Sequence, residues 1–434
     1  MLETRQRLSE RAHDEKVGRV VAQLRAHDAR RPVSLRKKSV SHRVPKRDDA
    51  TRRDDKIDLA DLDAVLDVDP DAMTCTAEPG VTFVDLVRAT LPLGLAPAIV
   101  PELETITIGG AVAGCSIESG SFRYGGFHDT CLEYEIVTAR GDVLRATPDG
   151  ESSLLFQMMH GTFGTLGILT KLRFRLVRAK PFVHVVYESF PTLASYEDAI
   201  RAHFEANDVD FMDGIIHSPE KYVLSLGRFE DAAPYASRYD WTEIYWQSTA
   251  RRRDDHLRTR DYFFRYDAGV TNVHPKSRVA RFLFGKLLRS STLLRAADEL
   301  HVLLPKRPDV TLDVFVPMSK AAEFLGWYGH ELGHFPLWCV PYRRVRDYEW
   351  LAPRVFDGLE DELFLDLAIY GAKQRAGHDE YAEIERELDE LHALKTLISH
   401  NRYDETTFWR TWNKPNYDAV KRVTDPDGVF RDLY

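Results

Sequence analysis

Cysteine is scarce in this chain: 434 residues hold only Cys75, Cys115, Cys131 and Cys339, spaced 40, 16 and 208 positions apart with no CxxC pair. Such spacing excludes a disulfide-stapled secreted fold and predicts free thiols in a reducing compartment. Net positive charge is missing too. With 59 Lys+Arg against 68 Asp+Glu the formal charge is -9, so the chain as a whole has no attraction to a phosphate backbone and no nucleic-acid partner is expected. No long apolar run occurs. The longest uncharged stretch, 152–170, is broken by Ser, Gln, His, Thr and three glycines, which excludes a spanning helix. The opening residues, MLETRQRLSERAHDEK, carry charge from the third position, unlike a signal peptide, and a cytoplasmic protein is expected. Neither GxGxxG nor GxxxxGK(S/T) is present, and no internal repeat.

What is present is a core: 44% hydrophobic and 11% aromatic residues suffice for two or three packed domains. Leu8, Val17, Val20, Val21 and Leu24 fall at helical spacing among charges, predicting an amphipathic lead-in over 1–30. From Asp58 to Arg175 short β-branched runs alternate with glycine, and YEIVTARGDVLRATP reads as a hairpin turning at Arg-Gly-Asp. Pro181 marks a break. Beyond it, strand-like runs (FVHVVYESF, KYVLSLGRF, TLDVFVPM, FPLWCVPYR, LFLDLAIYG) alternate with helical patterns such as 377–395, where Tyr381, Ile384, Leu388, Leu391 and Leu394 share a face. The aromatic-rich tail is too short to fold alone and must pack back. These readings predict an α/β (α+β) chain with a first domain over 31–180, a second α/β domain with antiparallel sheet over 181–400, and a returning segment over 401–434.

Six of the 25 glycines lie between 109 and 126, in PELETITIGGAVAGCSIESGSFRYGG, and three more at Gly161, Gly164 and Gly167. Backbone that dense in glycine turns sharply or approaches a ligand closely, and with Ser119 and Ser121 could present donors to a pyrophosphate; strand corners are the plainer alternative. The sequence TITIGGAVAGCSIESGSFRYGGFHDTCLEYEIVTARGDVLRATP resembles the FAD-binding domain of PCMH-type flavoproteins, those related to vanillyl-alcohol oxidase and p-cresol methylhydroxylase. Within them PELETITIGG, SIESGSFRYG, GTLGILT, ARFLFGK, FVPMSK, FPLWCVPYR, DLAIYG and TTFW resemble the delta-24-sterol reductase branch, in the same order from about residue 33 onward.

The resemblance implies a two-lobed FAD-binding domain followed by a substrate domain. It implies a diphosphate cradle from Ser34, Arg36, Ser39 and His42 on one loop and Thr107, Gly109, Gly110, Gly114, Ser119 and Ser121 on another, with Gly164, Gly167 and Ile168 supporting the flavin and adenine side. The first loop, RKKSVSHR, has no glycine, so FAD is expected to be non-covalent. An isolated alkene accepts hydride poorly, so a reductase of this kind needs a general acid and an apolar pocket. Lys395, His400 and Tyr403 are the candidate acids, in the segment that the resemblance turns toward the flavin; Trp338, Arg343, Asp366 and Tyr370 are candidate pocket residues on strands.

His330, Glu331 and His334 spell HExxH, but Phe335-Pro336 follows at once and no third ligand is spaced for zinc, so no metal is expected. Residues 276–295 carry six basic and no acidic side chains among leucines and phenylalanines, a candidate peripheral contact with the inner face of a membrane. Of the 59 basic residues 43 are Arg and 16 Lys, a GC-rich coding bias that points to a bacterium without sterols. The expected substrate is therefore a methylene-branched fatty acyl chain, reduced with NADPH to a methyl branch. A delta-24-sterol, a sugar or alcohol oxidised by the flavin, and a flavin-free lipid-binding role are the alternatives.

Overall fold

The computed structural model describes residues 2–240, 243–267, 269, 299–300 and 309–434. The basic segment 276–295 lies outside the described residues. Among these no helix is long and apolar enough to cross a membrane.

The first helix, Leu2–Ala26, lays Val17, Val20 and Leu24 on a cluster with Ile57, Leu62, Val137, Ile168 and Phe430. Polar contacts reinforce that docking: buried His13 lies 2.9 Å from both Glu78 and Glu135, and Lys16 reaches Glu78 at 2.7 Å. Next come β1 (Val33–Arg36) and β2 (Asp55–Asp58), paired parallel. A six-stranded antiparallel sheet follows from β3 (Val65–Asp69), β4 (Thr74–Ala77), β5 (Leu95–Pro97), β6 (Cys131–Val137), β7 (Val143–Ala146) and β8 (Ile168–Arg178), in the order β3-β4-β8-β6-β7 with β5 on β8. β6 and β7 are the hairpin expected around Arg-Gly-Asp. Its turn places Gly141 at φ 79°, where a side chain would be strained.

The second sheet is eight-stranded and antiparallel throughout. It comprises β9 (Phe182–Phe190), β10 (Phe211–Ser218), β11 (Lys221–Glu230), β12 (Asp254–Arg258), β13 (Val310–Pro317), β14 (Leu337–Arg343), β15 (Leu363–Ala372) and β16 (Leu394–Lys395), in the order β12-β9-β11-β10-β14-β15-β13-β16. Strand alternation gives it two unlike faces. Leu312, Val314, Leu337, Cys339, Leu365, Leu367 and Ile369 pack in one cluster with residues of the helices Leu193–Ala206, Ala321–Glu331 and Glu380–Glu390. Ile215, Trp338, Val340 and Ala368 instead join the core of the first lobe. Between them on that inner face stands Asp366, directly opposite Val340 and Phe315.

The last residues, including helices Glu405–Thr411 and Lys414–Thr424, return to the first lobe. Val33 bonds the carbonyl of Val429 at 3.0 Å, Ala139 that of Thr424 at 2.8 Å, and Arg431 pairs with Asp54. Helix Ala321–Glu331 ends before His334, whose Nε2 lies 3.0 Å from the Tyr370 carbonyl oxygen, so the two histidines of HELGH do not share a helical face. All four cysteines are free.

Candidate cofactor and active site

The glycine-rich turn forms a cradle. Thr107 caps the helix Ile108–Ala113 by accepting from the Gly110 amide at 3.2 Å. Gly109 packs so tightly that a Cβ would sit 2.6 Å from that of Pro79, and beside Gly110 such an atom would be 3.9 Å from the ammonium of Lys37. Lys37 has no hydrogen-bond or ion-pair partner among the described residues, and desolvation and Arg43 push its pKa down. The Ser39 hydroxyl is also buried without a partner. His42 lies 3.1 Å from Thr105 Oγ1 and is pushed down to about 4 by desolvation and Lys37, leaving it neutral near pH 7. An unpaired ammonium and hydroxyl beside close-packed glycines fit an anionic diphosphate.

The remaining residues expected in that cradle lie elsewhere. Ser34 is engaged by Lys56 and the Thr51 carbonyl, and Arg36 by Asp58 on an exposed rim, because parallel pairing of β1 with β2 supplies those partners. Ser119 and Ser121 are fully buried under the second sheet, tied to Glu118 and Tyr262. Gly164 packs on Leu35 and Gly167 on Ile136, with Ile168 beginning β8, so these three form the wall behind β1.

Between cradle and inner face opens a cleft of about 760 Å³, counting its mouth. Gly114, Cys115, His128 and Phe163 line it from the first lobe; Phe315, Tyr342, Trp350 and Lys395 line it from the second. Its walls are almost wholly apolar. Burial and the nearby Asp129 push the Cys115 thiol well up, which disfavours the thiolate.

Carboxyl groups collect where the loop before Thr107 meets the inner face. Glu102, half-buried in that loop, is pushed up to about 8 by desolvation and the negative neighbours Glu118 and Asp313. Asp313 accepts from Tyr370 Oη at 2.6 Å and is itself raised by burial. Asp366, 2% exposed with Oδ1 unpartnered, is raised well above the carboxylate range by desolvation, Asp313 and Glu102. Carboxyls that share one buried region cannot all ionise. Deeper still, fully buried Arg265 lies 3.0 Å from Glu118 and 3.1 Å from Asp213, and Asp213 also accepts from Trp338 Nε1 at 2.9 Å.

The candidate acids of the returning segment gather around Glu385 instead. Lys395 lines the cleft, but its ammonium is bound by Glu385 and by the His400 carbonyl at 2.7 Å. Tyr403 donates to the Glu385 carbonyl at 3.2 Å and burial raises its pKa; His400 packs on Tyr381 and is pushed down to about 4. Two of the three Lys395 N–H groups and the Tyr403 hydroxyl are thus engaged within this cluster, and His400 is neutral near pH 7. Arg343 points away from the cleft, pairing with Glu362 above Phe204, because Tyr342 takes the inward parity on β14. Trp338 serves Asp213, and Tyr370 serves Asp313. Glu102 escaped the sequence reading although one signal was available: it interrupts an apolar run, LGLAPAIVPELETI, just before the glycines.

A family model described as an FAD binding domain matches residues 13–147. The delta(24)-sterol reductase of Arabidopsis thaliana is 25% identical over 98% of this chain and 84% of its own length. That of Pisum sativum is 26% identical with the same coverage, and that of Homo sapiens 25% over 88% and 77%.

Proposed function

We propose that this chain, which belongs with the PCMH-type FAD-binding flavoproteins of the delta(24)-sterol reductase branch, saturates a branched side-chain double bond of a sterol, with NADPH as reductant. The broader statement, an FAD-dependent oxidoreductase acting on a lipid double bond, is what the relatives support. The named relatives are sterol reductases, which favours the sterol over the methylene-branched fatty acyl chain.

One observation carries the reading: the loop before the glycine cradle holds a half-buried carboxyl, Glu102, pushed up to about 8 by desolvation and by its negative neighbours Glu118 and Asp313. When bound, the flavin supplies hydride at N5. Everything else falls to the chain. Lys37 and Ser39 bind the diphosphate, the aromatic walls exclude water, and Glu102 hands its proton to the less substituted alkene carbon so that positive charge develops at the tertiary one. Asp313, held by Tyr370, is a positioning residue whose negative charge helps keep that proton on Glu102.

The decisive experiment is an anaerobic visible spectrum. NADPH should bleach the flavin, and a sterol with a branched side-chain alkene should restore the yellow form. Recovery with a methylene-branched phospholipid and not with the sterol would overturn the substrate. A flavin that NADPH cannot bleach but an alcohol can would overturn the direction.

Two smaller expectations arise here. Lys37→Ala should weaken FAD binding roughly 10–100-fold, the worth of one charge-assisted hydrogen bond, read by flavin fluorescence on dilution. The alkene step should fall as pH rises through about 8, where Glu102 gives up its proton. Asp313→Asn should move that alkaline limb to lower pH, since it removes a negative neighbour; a limb unmoved by Asp313→Asn would sink its positioning role.

A further inference from the structure

On the edge of the second sheet, two histidines and two carboxylates not used above share one face. His256 on β12 is directly opposite His184 on β9. Asp254, two residues before His256, and Glu230, two residues beyond the Arg228 that pairs with His184, project to the same side by strand alternation. The imidazole rings stack with centroids 4.3 Å apart at 9°. Four groups from three adjacent strands thus converge.

Their spacing is unlike that of ordinary hydrogen bonds. His184 lies 3.5 Å from Glu230 through Nδ1 and 3.5 Å from Asp254 through Nε2, and His256 Nδ1 is 3.3 Å from Glu230. His184 Nε2 and His256 Nδ1 are buried yet have no hydrogen-bond partner. One ligand atom each from His184, Asp254 and His256 lies within 4.8 Å of the others. Tetrahedral ligands at zinc-like bond lengths stand about 3.3–3.4 Å apart, close to these N···O separations. Buried imidazole nitrogens with nothing to bond, beside carboxylates, are what a borderline divalent cation satisfies.

We propose that His184, His256, Asp254 and Glu230 form a binding site for a divalent transition-metal ion of the zinc type, which clamps edge strand β12 to β9 and β11. The site shares no residue with the cradle or the lining of the cleft, so its test is separate from the flavin chemistry proposed above.

The test uses the FAD-loaded protein, freed of metal by chelation and dialysed against buffered Zn²⁺. One equivalent of zinc should be retained, with a rise in the melting temperature. His184→Ala and His256→Ala should each weaken uptake about 10–100-fold or more and abolish the rise, while His330→Ala, at the HELGH segment, should change neither. Flavin absorbance reports that each variant is folded, and Glu230→Gln offers a milder change that should weaken uptake. No retained zinc in the wild-type protein, or uptake undiminished in both histidine variants, would overturn the site.

Discussion

Glu102→Gln is expected to slow alkene-dependent reoxidation of the flavin by about 10²–10⁴-fold, the usual contribution of a positioned acid, while NADPH bleaches the flavin at the unaltered rate. Glutamine keeps the shape and the hydrogen-bonding capacity of a protonated glutamic acid but cannot give up a proton at neutral pH. The variant therefore separates proton delivery from cofactor binding. Stopped-flow absorbance reads both half-reactions in one sample. A variant that slows both equally would mean that Glu102 shapes the cradle and delivers no proton. The alkaline limb supplies an internal check: a group pushed up to about 8 is protonated through neutrality, so the residual activity of the Gln variant should lose its pH dependence above that value.

Arg265→Met should destabilise the FAD-loaded protein by about 3–5 kcal/mol, the cost of leaving buried charge without its partner. Arg265 is fully buried between Glu118 and Asp213, and its guanidinium lies 4.1 Å from the Tyr262 ring centre and 4.8 Å from that of Tyr266. Glu118 comes from the glycine-rich stretch and Asp213 from β10, so this one cation joins the two lobes. Burial already raises the Glu118 pKa, and Arg265 opposes that rise. Without the cation the folded-state pKa climbs further above the unfolded value. The variant's deficit is then small in mild acid and grows as pH rises, a dependence that urea melts at several pH values would read. A deficit unchanged with pH would assign the loss to packing around the tyrosines.

Much of the architecture is written in local pattern. Period-two alternation in FVHVVYESF, TLDVFVPM and LFLDLAIYG became β9, β13 and β15, and the apolar stripe from Tyr381 to Leu388 became the buried face of a helix. Glycine density announced the turn where Gly109 meets Pro79, since no other residue fits. Side-chain roles were less legible, because they depend on which distant residue arrives. Ser34 and Arg36 find Lys56 and Asp58 only through pairing of β1 with β2, and Lys395 is captured by Glu385 from a separate helix. Arg343 could have been set aside by parity alone, as Trp338, Val340 and Tyr342 already alternate inward. The choice between an acyl chain and a sterol is not legible in composition, because codon-driven Arg bias has no physical connection to the cleft.

The return of the last segment to β1 carries a consequence for the order of events in the cell. Val33 receives its backbone partners from Val429 and Phe430, and Asp54 its arginine from a residue 377 positions later. Emerging from a ribosome, the cradle loop has neither until the whole second sheet has been synthesised. Closure of the first lobe is thus a late, long-range event. Nascent chains stalled near residue 400 should hold a formed hairpin β6-β7 yet fail to retain flavin, and cofactor capture belongs to the finished polypeptide.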